Sequence, residues 1–101
     1  MTLPINPVQR RDNYICQYCG KDGLASAENW HDSTVDHVLP RKHGGTDDPH
    51  NLVTSCHYCN SIKGYGLFAS FEDARDHILK RREELQAIFE GVKKAVRGPS
   101  T

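Results

Sequence analysis

The sequence lacks any apolar run approaching the roughly 20 residues that a helix needs to cross a bilayer. Residues 1–8 also lack the apolar stretch of a secretory signal peptide. Internal repeats and low-complexity tracts are absent as well, which argues against the repeat architectures. These absences predict a cytoplasmic protein with no membrane partner.

Net charge is also lacking, because thirteen Lys and Arg residues balance thirteen Asp and Glu residues. No global positive field would therefore attract nucleic acid, and binding would require basic residues gathered on one face. The densest basic group lies near the C-terminus and comprises Lys80, Arg81, Arg82, Lys93, Lys94 and Arg97. Acidic residues are interspersed with it, so an ordinary helix surface with local ion pairs is the alternative interpretation.

Cysteine is scarce, but its placement is regular. The four cysteines form two C-x-x-C pairs, Cys16 with Cys19 and Cys56 with Cys59. Two such pairs are typical of a tetrahedral zinc site with four thiolate ligands. Disulfides are the alternative, disfavoured without a secretion signal, and a redox C-x-x-C would require a βαβ context. In a single domain of 101 residues, bound metal would supplement a small core.

The central part of the sequence predicts the order strand, long loop, strand, helix. Residues 34–39 alternate and are rich in β-branched side chains, which predicts a strand that Pro40 ends. Residues 51–55 predict a second strand, and residues 57–63 suit a short helix. The intervening loop contains the turn dipeptides Gly44-Gly45 and Asp48-Pro49.

The flanking segments are less distinctive. Residues 1–13 predict an extended arm with one helical turn at 7–11, and residues 21–32 are turn-rich. We expect Trp30, the single tryptophan, to pack against the strands. Ser70 is typical of an N-cap, which predicts a helix up to residue 97. The apolar stripe of that helix either wraps around the domain or meets a second copy.

The order Asp36-His37, Gly44-Gly45, Asn51-Leu52 and Asn60 resembles that of the HNH endonucleases, the ββα-metal nucleases. The preceding run from Arg11 to Gly20 resembles the zinc knuckle found before many HNH motifs. The last motif position is Asn60 where many members have His, which makes this an H-N-N variant. The resemblance implies an α+β fold: a zinc-bound ββα-metal core at 14–66 and a long C-terminal helix at 70–97.

The resemblance also implies a division of roles. His37, neutral near pH 7, would take a proton from water. Asp36 and Asn60 offer oxygen ligands to a catalytic Mg²⁺ or Mn²⁺ ion, and Asn51 would hold the loop that aims His37. Cys16, Cys19, Cys56 and Cys59 would bind a structural zinc ion. The implied partner is DNA in a bacterial or phage setting, cut one strand at a time by a monomer or weak homodimer.

Two questions stay open at this point. Adjacent residues of a flat strand face opposite ways, so Asp36 and His37 must flank the phosphate or the strand must bend near Pro40. The alternative function is a zinc-stabilised nucleic-acid-binding or interaction module without catalysis. A redox or zinc-storage protein is a third possibility, which would leave the HNH-like residues unexplained.

Overall fold

The computed structural model describes residues 2–98 as a small α+β structure. Two short helices, α1 (Pro7–Arg11) and α2 (Ala27–Asp32), precede the strands β1 (Ser33–His37) and β2 (Leu52–Cys56). Helix α3 (His57–Lys63) follows β2 directly, and the long helix α4 (Phe71–Arg97) closes the chain. Short 3₁₀ turns at Arg41–His43 and Pro49–Asn51 shape the loop between the strands.

The two strands form an antiparallel pair in which Ser33 lies opposite Cys56 and His37 opposite Leu52. Both are displaced by a residue or two from the predicted 34–39 and 51–55. Beyond His37, Val38 N still donates to the backbone of Asn51, but Leu39 N donates to the Asn51 side chain and the backbone pairing ends there. Strand β2 starts late because Asn51 N donates to Asp48 O and so belongs to the preceding 3₁₀ turn.

Helix α2 was not predicted within the turn-rich segment 21–32. Its N-cap is Ser26, whose hydroxyl accepts a hydrogen bond from Asn29 N at 3.0 Å. Trp30 is not buried against the strands as predicted, because the residue is 43% exposed. Trp30 instead lines a shallow apolar groove with the N-terminal residues Leu3, Pro4 and Ile5.

Arg11 and Asp12 connect the end of α1 to the second strand. The Arg11 guanidinium donates to Pro49 O at 2.8 Å and to Leu52 O at 2.6 Å. Asp12 accepts a hydrogen bond from Thr54 N at 3.0 Å and also pairs with Arg11. These contacts make Arg11 and Asp12 a structural link between α1 and β2.

The buried core is small and lies where the knuckle, the sheet and the two last helices meet. Its buried residues are Cys16, Tyr18, Cys56, Cys59, Ala74 and Ile78. Three of the four cysteines are therefore core residues, and Cys19 packs against them. A bond that joins the thiols would therefore also stabilise the core.

Only the first half of α4 contributes to that core. Ser70 caps the helix as predicted, with its hydroxyl accepting from Asp73 N at 3.1 Å. Ala74 and Ile78 are fully buried, whereas Ile88, Phe89 and Val92 are more than half exposed. The stripe therefore does not wrap around the domain along its whole length. Within residues 2–98, no helix combines the length and apolar character needed to cross a membrane.

Candidate functional site

A cleft of about 420 Å³ opens between the end of β1, the loop that follows it and helix α3. It brings together three of the four predicted catalytic residues, Asp36, His37 and Asn60. Its other polar lining comes from Arg41, Lys42, Ser61, Lys63 and Tyr65. Asp36 and His37 thus reach one cleft from successive positions, because the cleft surrounds the point where the strand ends.

Asp36 is buried and anchored through one carboxylate oxygen. Its Oδ2 accepts a hydrogen bond from the Tyr18 hydroxyl at 2.5 Å and lies 3.4 Å from Lys63 Nζ. Burial, followed by the neighbouring Asp36 carboxylate, raises the pKa of Tyr18, so its hydroxyl stays protonated and donates. Among residues 2–98, Oδ1 of Asp36 has no hydrogen-bonding partner. One oxygen is therefore fixed and the other is available.

Among residues 2–98 the His37 ring contacts Asp47 and Arg41, and it makes no hydrogen bond with Asp36. Its Nε2 lies 2.8 Å from Asp47 Oδ1, and Arg41 donates to both Asp47 oxygens, at 2.6 and 2.8 Å. The hydrogen bond with His37, and then that with Arg41, lower the pKa of Asp47. Arg41 Nε also lies 3.2 Å from Nε2. If Nε2 carries the hydrogen that the Asp47 carboxylate accepts, Nδ1 is the ring atom that can accept a proton.

Asn51 fixes the loop through its side chain, and these hydrogen bonds are the ones expected of it. Its Oδ1 accepts from Leu39 N at 2.8 Å, and its Nδ2 donates to Leu39 O at 3.0 Å and Thr46 O at 2.9 Å. Gly45 is required in this loop because an added Cβ would collide with the Leu39 carbonyl. Asn51 thereby holds both ends of the loop that carries Arg41 and Asp47.

The donor set of the cleft fits a hard divalent cation. Asp36 offers a carboxylate oxygen without a protein partner, and the Asn60 side chain lines the same cleft without a hydrogen bond among residues 2–98. Carboxylate and amide oxygens completed by water are the ligands that Mg²⁺ and Mn²⁺ prefer. Lys63 and Tyr18 also contact Asp36, and both do so at the other oxygen, Oδ2.

The four cysteines cluster as the spacing predicted. Their Sγ atoms all lie within 4.8 Å of one another, and Cys19 Sγ is 3.7 Å from Cys56 Sγ. Zn–S bonds of about 2.3 Å in a tetrahedron place the sulfurs about 3.8 Å apart. All four are free thiols, so the disulfide alternative does not describe this arrangement. The cluster is a candidate zinc site.

Without a cation, the thiols of this cluster compete for ionisation. Contacts from the thiols of Cys56 and Cys59 lower the pKa of Cys16, whereas the contacts of Cys16 and Cys56 with Cys59 raise its pKa. A bound Zn²⁺ ion would remove this conflict by stabilising every thiolate at once. Arg82 supplies further positive charge, since its Nη1 lies 3.6 Å from Cys59 Sγ and its guanidinium lies 4.5 Å from the centre of the Tyr58 ring.

Several residues of these sites were missed by sequence reasoning, among them Tyr18, Asp47, Lys63 and Arg82. Two of them carried a usable signal. Lys63 lies three residues after Asn60 on a short helix, which places both side chains on one face. Tyr18 lies between two candidate zinc ligands. Asp47 and Arg82 reach their partners across a loop and between two helices, and no local pattern indicates either contact.

Comparison with known proteins bears on the same segment. Residues 16–66, just over half of the chain, match the HNH endonuclease family. The chain is also 41% identical over 61 residues to the CRISPR-associated endonuclease Cas9 of Corynebacterium diphtheriae; the match covers 59% of this chain and 5% of that protein. The chain thus spans a small fraction of that relative's length, and no solved structure matches it. The family match, which contains both C-x-x-C pairs and the whole cleft motif, shows that this chain belongs to the HNH endonuclease family.

Proposed function

We propose that this chain is a divalent-metal-dependent endonuclease that hydrolyses DNA phosphodiester bonds, one strand per active site. The observation that carries the proposal is the convergence of Asp36, His37 and Asn60 on one cleft. Phosphodiester hydrolysis needs an activated water and charge stabilisation at the phosphoryl and leaving oxygens. This cleft offers a group for each requirement.

In this proposal His37 is the general base. With Nε2 engaged by Asp47 at 2.8 Å, Nδ1 would take the proton from the attacking water. Asn51 keeps the loop that carries Asp47 in place, so it contributes to the aim of His37 without entering the reaction. Arg41 and Lys42 line the cleft and would attract the phosphate backbone, which offsets the absence of a net positive charge.

Asp36 and Asn60 are the proposed ligands of the catalytic Mg²⁺ or Mn²⁺ ion. When bound, that ion would neutralise charge on the phosphoryl oxygens and on the departing alkoxide. The four cysteines would hold a separate structural Zn²⁺ ion, because four thiolates leave that metal no open position for substrate. Such sites contribute on the order of 10 kcal/mol to folding, and here the ligands are also core residues.

A second candidate, a zinc-stabilised binding module without catalysis, is favoured by one observation. Asp36 contacts Lys63 and Tyr18, and His37 contacts Asp47. Purely structural residues would have protein partners of this kind. The two functions differ in what happens to bound DNA. A binding module retards DNA on a gel and leaves its length and topology unchanged.

The deciding experiment incubates supercoiled plasmid with the zinc-loaded protein, with and without Mg²⁺ or Mn²⁺. We expect metal-dependent cleavage, and a loss of about 10²- to 10⁴-fold for His37→Ala, as is typical when a general base is removed. His31→Ala is the matched control, since its 84% exposed side chain makes no contact with the cleft. Cleavage at the wild-type rate by His37→Ala, with zinc content unchanged, would contradict the proposed base. DNA retardation without any cleavage would favour the binding module.

The zinc assignment has its own test. We expect the purified wild-type chain to contain one zinc ion, and Cys59→Ser to yield zinc-poor protein of sharply lower stability. Cys59 is completely buried within the core, so losing its metal bond removes a central contact. A full zinc equivalent and an unchanged melting temperature in Cys59→Ser would exclude the four-cysteine site.

A further inference from the structure

Tyr18 joins the two candidate metal sites. It lies in the first C-x-x-C pair, next to Cys19, and its hydroxyl donates to Asp36 Oδ2 at 2.5 Å. The residue is 3% exposed, and its ring stacks on Phe71 with the ring centres 5.1 Å apart. The tyrosine is therefore fixed at both ends, by packing around its ring and by the hydrogen bond at its tip.

The knuckle that carries Tyr18 is itself tied to the sheet. Gln17 N donates to Thr54 O of β2 at 2.9 Å, while Cys16 N donates to Lys21 O at 2.9 Å within the knuckle. The four thiols add a second tie, because Cys16 and Cys19 cluster with the two cysteines at the start of α3. The position of the Tyr18 hydroxyl is thus set by the zinc knuckle and not by the cleft loop.

At Asp36 this arrangement divides the two carboxylate oxygens. Tyr18 and Lys63 both contact Oδ2, while Oδ1 is without a partner among residues 2–98. A carboxylate held through one oxygen cannot rotate freely, so its second oxygen keeps a constant position. Groups that orient a metal ligand in this way typically contribute 10- to 100-fold to metal affinity or activity.

We propose that Tyr18 is a positioning residue for the catalytic cation: it holds Oδ2 of Asp36 and thereby presents Oδ1 to a divalent metal. The four-cysteine site would then have a second role beyond folding, because it sets the position of a ligand in the other metal site. This inference rests on the proposed function, since it assumes that Asp36 binds the catalytic ion. Tyr18, which does not line the cleft, would thus help to position a ligand of that ion.

The test measures Mn²⁺ binding directly, by the loss of the free-ion electron paramagnetic resonance signal. All proteins carry His37→Ala, so that a DNA duplex of random sequence can be present without being cut; Mn²⁺ bound by DNA alone is subtracted. Tyr18→Phe removes the hydroxyl and keeps the ring on Phe71. Tyr14→Phe is the matched control, because Tyr14 is also buried near the knuckle and its hydroxyl does not contact Asp36.

We expect Tyr18→Phe to raise the Mn²⁺ dissociation constant about 10-fold, with zinc content and melting temperature unchanged, and Tyr14→Phe to leave it unaltered. Equal Mn²⁺ affinity in the two variants would overturn the inference while leaving the nuclease proposal intact. Absence of Mn²⁺ binding in the parent chain would overturn the inference together with the metal assignment. An affinity difference, together with an otherwise wild-type chain that cuts no plasmid, would support the inference and count against the nuclease.

A second measurement covers the case in which Tyr18→Phe folds poorly. In the otherwise wild-type chain labelled with ¹³C at tyrosine Cζ, Mg²⁺ alone is titrated and the spectra are compared. We expect the Tyr18 signal to shift, because the carboxylate that accepts its hydrogen bond gives up charge to the cation, and the Tyr14 signal to stay. A Tyr18 signal that does not move while Mg²⁺ binds would contradict the inference.

Discussion

The ammonium group of Lys63 lies 3.4 Å from Oδ2 of Asp36, and the Lys63 side chain has no exposed surface. The same Nζ donates to the backbone carbonyl of His37 at 3.0 Å. One buried lysine of α3 therefore contacts both residues of the Asp36-His37 pair. A buried charge of this kind is tolerated because it is paired and hydrogen-bonded.

Removing Lys63 should consequently be costly to the fold. We expect Lys63→Met to lower the free energy of unfolding by about 3–5 kcal/mol, because Asp36 is left as a buried, unpaired carboxylate. Denaturant unfolding of the zinc-loaded protein without Mg²⁺ measures this, with the exposed Lys80→Met as control. Adding Asp36→Asn should recover part of the loss. If the two substitutions are strictly additive, the 3.4 Å contact contributes no interaction energy.

Much of this arrangement follows from the sequence, since the elements depend on local signals. The Ser70 cap, the short helix after the second C-x-x-C pair and the loop-holding role of Asn51 each rest on residues close in sequence. The contact between Lys63 and Asp36 spans 27 residues and depends on how α3 packs against β1. Trp30 was misplaced for a related reason: side-chain size indicates burial, but only the tertiary arrangement decides which surface receives it.

Arg82 is expected to contribute to zinc binding. Its guanidinium lies 3.6 Å from Cys59 Sγ, and although burial lowers the pKa of Arg82, the charges of Cys19, Cys59 and Cys56 raise it overall, which keeps the positive charge in place. We expect Arg82→Gln to weaken zinc binding about 10-fold, as other groups beside metal ligands do. Competition with a chromophoric chelator measures the affinity. Arg81→Gln, whose exposed side chain pairs with Glu84, is the control and should bind zinc as the wild type does.

Asp47 and Asp48 provide a matched pair of substitutions at the cleft. Asp47 contacts His37 at 2.8 Å, whereas Asp48 contacts His50 at 2.9 Å and is remote from the proposed base. We expect Asp47→Asn to slow DNA cleavage roughly 10- to 100-fold, less than removal of the base itself, because the imidazole loses the partner that fixes its tautomer. Asp48→Asn should cut at the wild-type rate. Faster cleavage by Asp47→Asn would mean that Asp47 restrains His37 instead of orienting it.

Acid unfolding should begin at the zinc site and not at the carboxylates. Although burial raises the pKa of Asp12, hydrogen bonds from Arg11 and Thr54 lower it overall. Its stabilising contribution is therefore complete above the unfolded value of about 3.9 and is lost only as pH falls through the lower folded value. Thiolate ligands must take up protons to release zinc, which makes binding weaker as pH falls.

Because the pKa of Asp12 is lowered in the folded protein, the effect of Asp12→Asn on the free energy of unfolding has a defined pH dependence. We expect its free energy of unfolding to lie about 1–3 kcal/mol below that of the wild type, since a charged hydrogen-bond acceptor is lost. The difference should stay constant from about pH 8 to about pH 5, because Asp12 remains ionised throughout that range. Zinc release, followed with a chelator dye, should accompany acid unfolding in both proteins. A difference that shrinks within this range would mean that Asp12 titrates there.

The final prediction concerns the number of strands cut in one encounter. The described residues contain a single cleft with Asp36, His37 and Asn60, and one such centre can address one phosphate at a time. The exposed second half of α4 could support pairing through Ile88 and Phe89, but Lys93 and Glu90 on the same turns form an ion pair that suits a solvated helix equally well.

We therefore expect a monomer or weak dimer that converts supercoiled plasmid into open circles before linear product appears. A time course at low enzyme concentration, with sedimentation of the same sample, measures both. Linear DNA formed from the start by a stable dimer would show that two centres act together.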